Sequence, residues 1–552
     1  MLPGLPPLVH LETVTASGGT SITVPASGTI AGHANFPAGS KHVVVIYNAR
    51  SGASAVEDYA LVRVNGDTGS NYDMQRLDGF GTSVAAYKET GIVGWSQIAA
   101  VAGNTAPAGI HSPGAIMIPN AFATTGYAAM LNMIGVYDER SRFGAGTWRN
   151  TAAITSMNFS TSNGLTGSFS LYVVDESYLV SGGEEVLTGT SAFTNRSVPA
   201  QVGDISIINY MRSSRSSGND GTDIVLNGDT TSGNYSGQFL YAYNTTAVPA
   251  LTGGHQIGGC NASTADANYF SGQLTSVSAF NYSANDPHVL CLSGQVSVTT
   301  ADAFCAISSN KRNNVEAVTS VNIKPSVSST FLAGSGQWVY AVPKSLISRT
   351  ELTGAAASVT FDLTSLTIPA NTQSLRVNAY ARSDRDEGGH GTTPSDGVNF
   401  FLNGDTTTSN YLVQTLIGRG TTVSASSGTG TAFWRIPAIG ATANEFGSAT
   451  LLFPYYANTS YEQSVLTFGG AETHSDLGVR AMSFDWDNTA ALTSIQLDCG
   501  SGDFVAGSIF ELDAIAGPVL GWGGNVMGVD DPAEVLGVEK ANIEKVMGVE
   551  AG

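Results

Sequence analysis

VNGDTGSNYDMQ, residues Val64–Gln75, returns almost word for word as LNGDTTSGNYSGQ from Leu226 to Gln238 and as LNGDTTTSNYLVQ from Leu402 to Gln414. Each copy follows an apolar, strand-like run and sets Asn-Gly-Asp-Thr ahead of an Asn-Tyr pair, with a Gln three residues beyond the Tyr. Asn-Gly after an apolar run is a hairpin signal, because both residues tolerate positive φ and an Asx side chain satisfies local backbone donors. The first reading of Asn65-Gly66-Asp67, Asn227-Gly228-Asp229 and Asn403-Gly404-Asp405 is therefore a structural turn, with Tyr72, Tyr235 and Tyr411 packed against their own sheet.

Working outward, an Arg-Ser pair at Arg50, Arg212 and Arg382 ends an earlier strand ahead of each turn, and a Thr-Ser pair opens a closing β run after it. Asn65 stands 90 residues before Thr155, Asn227 stands 92 before Thr319, and Asn403 stands 90 before Thr493. The three copies are collinear. They lie 162 and 176 residues apart, far beyond the roughly 20–50 residues of a solenoid or propeller repeat. Each repeat is thus a domain-sized unit: residues 18–176, 183–344 and 350–515, preceded by an extended arm over 1–17 and followed by a tail over 517–552.

Within a unit the strands are short, turn residues are frequent and helix-period patterns are scarce, so the expected fold is all-β: three tandem antiparallel sandwiches of jelly-roll type. LRVNAYARS shows the alternation of a one-sided strand, with Leu375, Val377 and Ala379 on one face and Arg376 and Asn378 on the other. A parallel β-helix is the alternative that the Gly, Ser and Asn content leaves open. The stretch from Cys260 to Cys305 departs most from the other copies and reads as an insert, either a specialised surface or loop drift.

The formal charge is −20, from 24 Lys and Arg against 44 Asp and Glu. That argues against nucleic acid and against an anionic membrane surface, both of which require clustered cations. Charged residues make up only 12% of the chain against 42% hydrophobic, so Ser, Thr, Asn and Gly must cover much of the surface, as in β-rich extracellular or virion proteins. The opening MLPGLPPLVH lacks a basic n-region, and no apolar run reaches membrane-spanning length, so neither a signal peptide nor a transmembrane segment is expected. Four cysteines are too few for a disulfide framework, and buried thiols are expected, with a Cys291–Cys305 hairpin pairing as the alternative.

Candidate sites are weighed on the same residues. Arg50, Arg212 and Arg382 are expected to pair with Asp67, Asp229 and Asp405 and pin the loop. Calcium at Asn65 and Asp67 is a minor alternative, since each copy has too few carboxylates, and no metal or cofactor is expected. Tyr72, Tyr235 and Tyr411 with Gln75, Gln238 and Gln414 offer a sugar platform as a second reading. Glu57-Asp58 and Asp384 with Asp386-Glu387 are paired carboxylates, but they do not recur between units and read as solvated loop charges. No catalytic residue is assigned. The tail repeats VMGV at Val526–Met527, VLGV at Val535–Leu536 and VMGV at Val546–Met547 beyond Trp522, and reads as a docking or assembly peptide, with a short helix after Pro532.

The series RS, apolar strand, NGDT, NY and closing TS pair, over residues 18–515, resembles β-sandwich modules of tailed-bacteriophage structural proteins: fibre, tail-associated and head-decorating components. The VMGV and VLGV words are similar to VxGV segments near the ends of such proteins. The resemblance implies a non-enzymatic, homo-oligomeric component of the virion surface, assembled in the host cytoplasm and partnered by other virion proteins. A receptor-binding adhesin for host-surface glycans is the second expectation, a cellular surface-layer or filament protein the third, and a polysaccharide depolymerase the last.

Overall fold

The computed structural model describes residues 2 and 5–516 apart from 137–139, 200–202, 217, 266, 279–285, 298–302, 328, 343–346, 371, 387–394, 442–443 and 472–477; within 517–552 it describes only four two-residue strands. The described chain is all-β, with four single-turn 3-10 segments and no α-helix.

Residues 8–174 form β1 (Leu8–Ser17), β2 (Ser21–Val24), β3 (Val43–Ser51), β4 (Glu57–Val64), β5 (Tyr72–Phe80), β6 (Ser83–Ile92), β7 (Trp95–Ala102), β8 (Ser112–Ile118), β9 (Ala128–Val136), β10 (Arg140–Trp148), β11 (Met157–Ser160) and β12 (Leu165–Val174). The second unit has β13 (Leu179–Val186), β14 (Arg196–Ser197), β15 (Asp204–Met211), β16 (Asn219–Leu226), β17 (Tyr235–Tyr243), β18 (Thr246–Gly253), β19 (Gln256–Asn261), β20 (Ser271–Ser278), β21 (His288–Gln295), β22 (Phe304–Arg312), β23 (Ser320–Pro325) and β24 (Gly336–Val342). The third has β25 (Ser348–Glu351), β26 (Ser358–Asp362), β27 (Thr372–Ala381), β28 (Ser395–Leu402), β29 (Tyr411–Arg419), β30 (Thr422–Thr429), β31 (Ala432–Pro437), β32 (Gly447–Pro454), β33 (Gln463–Gly470), β34 (Val479–Trp486), β35 (Ser494–Cys499) and β36 (Ile509–Ala516).

The hydrogen-bonded order in the second unit is β13-β24-β15-β20-β21-β22-β17-β18 in one sheet and β14-β23-β16-β19 in the other. Adding twelve to each label gives the two sheets of the third unit, and subtracting twelve gives the first, where a single parallel bridge, Arg50 to Ala102, joins them. Apart from that bridge and its isolated counterpart between Arg212 and Asn261, every strand pairing among the described residues is antiparallel, which rules out the parallel β-helix. The Cys260–Cys305 stretch is no insert: it spans the end of β19 through the start of β22 and matches β7–β10 and β31–β34 strand for strand.

In each unit the short sheet lies over part of the long one around a separate apolar core. Val45, Tyr47, Val62, Trp95 and Phe169 belong to the first core, Ile207, Ile224, Cys291 and Val339 to the second, and Val377, Phe400, Trp434 and Phe484 to the third. All four cysteines are free and buried; Cys291 sits opposite Ser308 and Cys305 opposite Gly294, so no hairpin brings the two together.

A further core joins the units. It contains Leu77, Leu240 and Leu416 from β5, β17 and β29, Leu131, Leu290 and Leu466 from β9, β21 and β33, and Phe143, Ile307 and Ala481 from β10, β22 and β34. These occupy equivalent positions on the three long sheets, so the faces turned away from the sandwich cores meet one another about a pseudo-threefold axis. Burying each leucine there contributes about 1.5–3 kcal/mol. The polar alternates of β27 accordingly face protein: Arg376 is buried against Asp513 and donates to the carbonyl of Leu5.

The segment expected as an extended arm is part of this body. Leu8–Ser17 pair with β12, and Leu2 and Leu5 are fully buried in the shared core. In the tail, Val526 pairs with Val529 and Val535 with Val538, so the first VMGV word and the VLGV word each form a two-residue strand pair, the latter where a helix was expected after Pro532. Trp522, Met527, Leu536, Val546 and Met547 lie outside the described residues.

Candidate functional site

At the repeated turn, Asn65, Asn227 and Asn403 have φ of 53°, 54° and 52°, and the following Gly66, Gly228 and Gly404 have φ of 67°, 72° and 72°. Two successive positive φ values closed by Asp67 N–H to Val64 O, 2.9 Å, make a tight turn that Asn-Gly adopts without strain. It is not a hairpin. β4 pairs with β7 and β11, whereas β5 pairs with β6 and β10, so the turn carries the chain from the short sheet to the long one. The hydroxyl of Tyr72 takes the place of a strand partner, accepting from Val64 N–H at 3.0 Å and donating to Asp67 O at 3.1 Å; Tyr235 and Tyr411 do the same.

The constant sequence spacing is a direct hydrogen bond. Asn65 Oδ1 accepts from Thr155 N–H at 2.7 Å, Asn227 Oδ1 from Thr319 N–H at 2.7 Å and Asn403 Oδ1 from Thr493 N–H at 2.7 Å, and each amide also donates to a carbonyl two residues before that threonine. Asp67 accepts from Gly69 N–H, Asn71 Nδ2 and Trp148 Nε1, and Asp405 from Thr407 N–H, Asn410 Nδ2 and Trp486 Nε1. In the second unit an arginine, Arg312, replaces the tryptophan. Burial acts to raise the Asp405 pKa, but the hydrogen bonds from Trp486, Asn410 and Thr407 outweigh it and hold it at about 2. These side chains are committed to the turn, and Tyr72, Tyr235 and Tyr411 are all buried as expected, which removes the second reading of a sugar platform.

Among the described residues no ion pair joins Arg50, Arg212 or Arg382 to Asp67, Asp229 or Asp405, so the expected Arg–Asp pin is not what these arginines form. Arg50 donates to the carbonyls of Asn104, Ala106, Pro107 and Ile110; Arg212 to those of Ser263, Ala265 and Ala267; Arg382 to those of Ala441 and Glu445. A planar guanidinium presents five donors, and here it gathers the loop between the seventh and eighth strands of its own unit. Of the paired carboxylates, Glu57 departs from the expectation, opening β4 and ion-paired with Arg140 at 2.7 Å, mostly buried, whereas Asp384 and Asp386 are exposed as expected and Glu387 lies outside the described residues.

The Gln of each motif reaches the next unit. Gln75 Nε2 donates to Asn244 O at 2.7 Å, Gln238 Nε2 to Gly420 O at 3.2 Å and Gln414 Nε2 to Gly81 O at 3.2 Å. The acceptors occupy one equivalent turn position, each with positive φ (54°, 52° and 51°). First unit to second, second to third and third to first, the three bonds close a ring around the axis. Gly135, Gly294 and Gly470 close it again: a Cβ added to each would lie 2.1, 2.1 and 2.3 Å from the Cβ of Ser483, Ala145 and Ser309 of a neighbouring unit. Only glycine permits that approach.

What differs between units is the mouth of each sandwich, at the end of β5 and the start of β6 and β10 and their equivalents. In the first unit Asp78 is surrounded by Arg76 Nε at 3.3 Å, Arg140 Nη1 at 2.7 Å and Arg142 Nη2 at 2.8 Å. Burial raises its pKa, but the three guanidinium groups outweigh it and the carboxyl is held below its usual value. In the second unit the same positions are aromatic or small, and Phe239, Tyr241, Tyr243 and Phe304 with Asn219 and Gln256 line a cavity of about 370 Å³. In the third, Arg419 and Arg480 line one of about 350 Å³ with Thr421, Thr422 and Ser424. Sequence reading missed these sites, although the repeat alignment marks every position involved.

Among the described residues no cluster of His, Cys, Asp and Glu is arranged to hold a metal ion, and no helix is long and apolar enough to cross a membrane. No family model matches the chain, and no curated protein matches it. Solved structures with some likeness include the Pseudomonas aeruginosa proteins OccK11 (OpdR), at 8% identity and a TM-score of 0.09 over 83% of this chain and 96% of that one, and OpdK with vanillate, at 9% and 0.10 over 84% and 98%. The β domain of the Bordetella autotransporter BrkA shares 8% identity at a TM-score of 0.09 over 76% of this chain and all of that domain. Likenesses this slight carry no argument about fold or function.

Proposed function

We propose that the protein is a non-enzymatic structural component displayed on the surface of a phage particle, built from three jelly-roll sandwiches in one chain. Supporting the jelly roll is the order β1-β12-β3-β8 over β2-β11-β4-β7, which interleaves strands distant in sequence, with β9-β10-β5-β6 extending one sheet. Jelly rolls recur in capsid and lectin domains. The observation that carries the proposal is the closed ring of Gln75, Gln238 and Gln414 around a common apolar core, an arrangement suited to holding a rigid body on a particle. The trimer-like contact set is made inside one chain, so further copies and other virion proteins meet it through outer surfaces. Mass spectrometry and antibody labelling of purified particles test the reading: stoichiometric presence on intact particles is expected, and absence from them withdraws it.

A second reading, an adhesin for host-surface glycans, is favoured by the aromatic cavity of the second unit, where Phe239, Tyr241 and Phe304 offer ring faces and Asn219 and Gln256 offer amides. Glycan-array binding that Tyr241→Ala removes would support it, and uniformly negative arrays would not.

A further inference from the structure

We propose that the mouth of the third sandwich binds a carboxylate carried by a hydroxyl-rich ligand, with Arg480 as the anchoring cation and an acidic sugar such as a uronic acid as the ligand class. The inference is independent of where the protein resides.

The argument rests on register. Arg142 on β10 faces Asp78 on β5, and Arg480 on β34 faces Ile417 on β29, at the same place in the two sheets. In the first unit the arginine is completely buried and its guanidinium is met by the Asp78 carboxylate. In the third unit that carboxylate is an isoleucine. The second internal carboxylate, Glu57 at the start of β4, has Ser395 at the start of β28 as its counterpart, and Ser395 accepts from Arg435 instead. Among the described residues no carboxylate pairs with Arg480. Burial, then the nearby Arg435 and Arg419, lower its pKa to about 10, which leaves it charged at neutral pH.

The half-buried Arg480 guanidinium lines the cavity without a counter-charge, and a carboxylate arriving in the geometry that Asp78 supplies elsewhere provides one. The surrounding wall fits such a ligand. Arg419 adds a second cation, Thr421, Thr422 and Ser424 add hydroxyls, and the cavity of about 350 Å³ falls in the range of small-molecule sites. In a chain of formal charge −20, a concentration of three arginines is also local attraction for an anion that the rest of the surface repels. Hydroxyl donors and acceptors along the wall favour a saccharide over an acidic peptide.

Binding to the full chain is measured by calorimetry and ligand-observed NMR with D-glucuronate, D-glucose, acetate, sulfate and a tetraglutamate peptide. Saturable 1:1 binding of glucuronate, tighter than of any other probe, is expected. Arg480→Met should weaken it at least about tenfold. Ile417→Asp should do the same by restoring the internal partner of the first unit, with the melting temperature unchanged or raised; this second variant keeps the test decisive if Arg480→Met folds poorly. The proposal is overturned if glucuronate shows no saturable binding, if glucose, sulfate or the peptide binds as tightly, or if Ile417→Asp leaves binding intact.

Discussion

Asp78 in the first unit and Ile417 in the third occupy one position in one fold, and the difference between them changes the character of a whole mouth. With the carboxylate, three arginines are drawn into a closed internal network; without it, an arginine of the same strand is left facing a cavity. The second unit takes a third course, with Tyr241 and Ala306 paired at the same register. The turn and the ring, by contrast, are repeated nearly atom for atom. The frame of this protein is held constant while its openings vary, so frame and openings should respond differently to substitution.

The largest effect should come from Asp78→Ile, which gives the first mouth the third unit's residue. Arg76, Arg140 and Arg142 would lose their shared partner, and a loss of about 3–5 kcal/mol is expected in denaturant unfolding. Next, Asn403→Ala should cost about 2–3 kcal/mol, because Thr493 and Ser494 lose their acceptor and alanine is placed at φ of 52°. Asn65→Ala and Asn227→Ala should match it within about 1 kcal/mol if the three turns are mechanically equivalent; a large spread would break that claim. Gly470→Ala should cost about 1–3 kcal/mol by forcing a Cβ against Ser309, with matching losses at Gly135 and Gly294.

A smaller effect distinguishes the interfaces by pH. Burial, with Asp485 and Asp487 nearby, raises the Glu462 pKa from its ordinary 4.5 to about 8 where it meets the first unit. A carboxyl with a raised folded pKa binds more protons in the folded state, so its stabilising contribution is complete below about pH 4.5 and is lost as pH rises through 8. Glu462→Gln should remove that slope, and the stability difference between variant and parent should grow from pH 5 to pH 8.5. His288, held near 3 by burial and by Lys311 between the second and third units, works the other way: its contribution is present above pH 6.5 and lost as pH falls toward 3.

Much of the frame was legible in the sequence. Asn65 and Thr155 keep their separation because one hydrogen-bonds the other, and a constraint between two fixed points of the chain appears as a constant spacing. The Asn-Gly pairs announced their positive φ values. The ring was not legible, because Gln75 and Gly135 act on residues of other units, and nothing in a strand's own alternation says that its second face is also covered. The hairpin expectation failed for a related reason: Asn-Gly specifies a local bend, while the partner of each flanking strand is chosen by the sheets. The mouths were overlooked because Asp78 and Ile417 fall just beyond the end of the shared motif, where the three copies cease to match.

The ring also sets a stoichiometry. In an assembly of three identical chains every opening would be present in triplicate, and a ligand could gain avidity by engaging several at once. Here the copies of Gln75 are joined by one polypeptide, so each mouth occurs once per body and can take its own chemistry without imposing it on the other two. A molecule recognised at Arg480 is therefore held singly and off-axis, and multivalency would have to come from several such bodies held together.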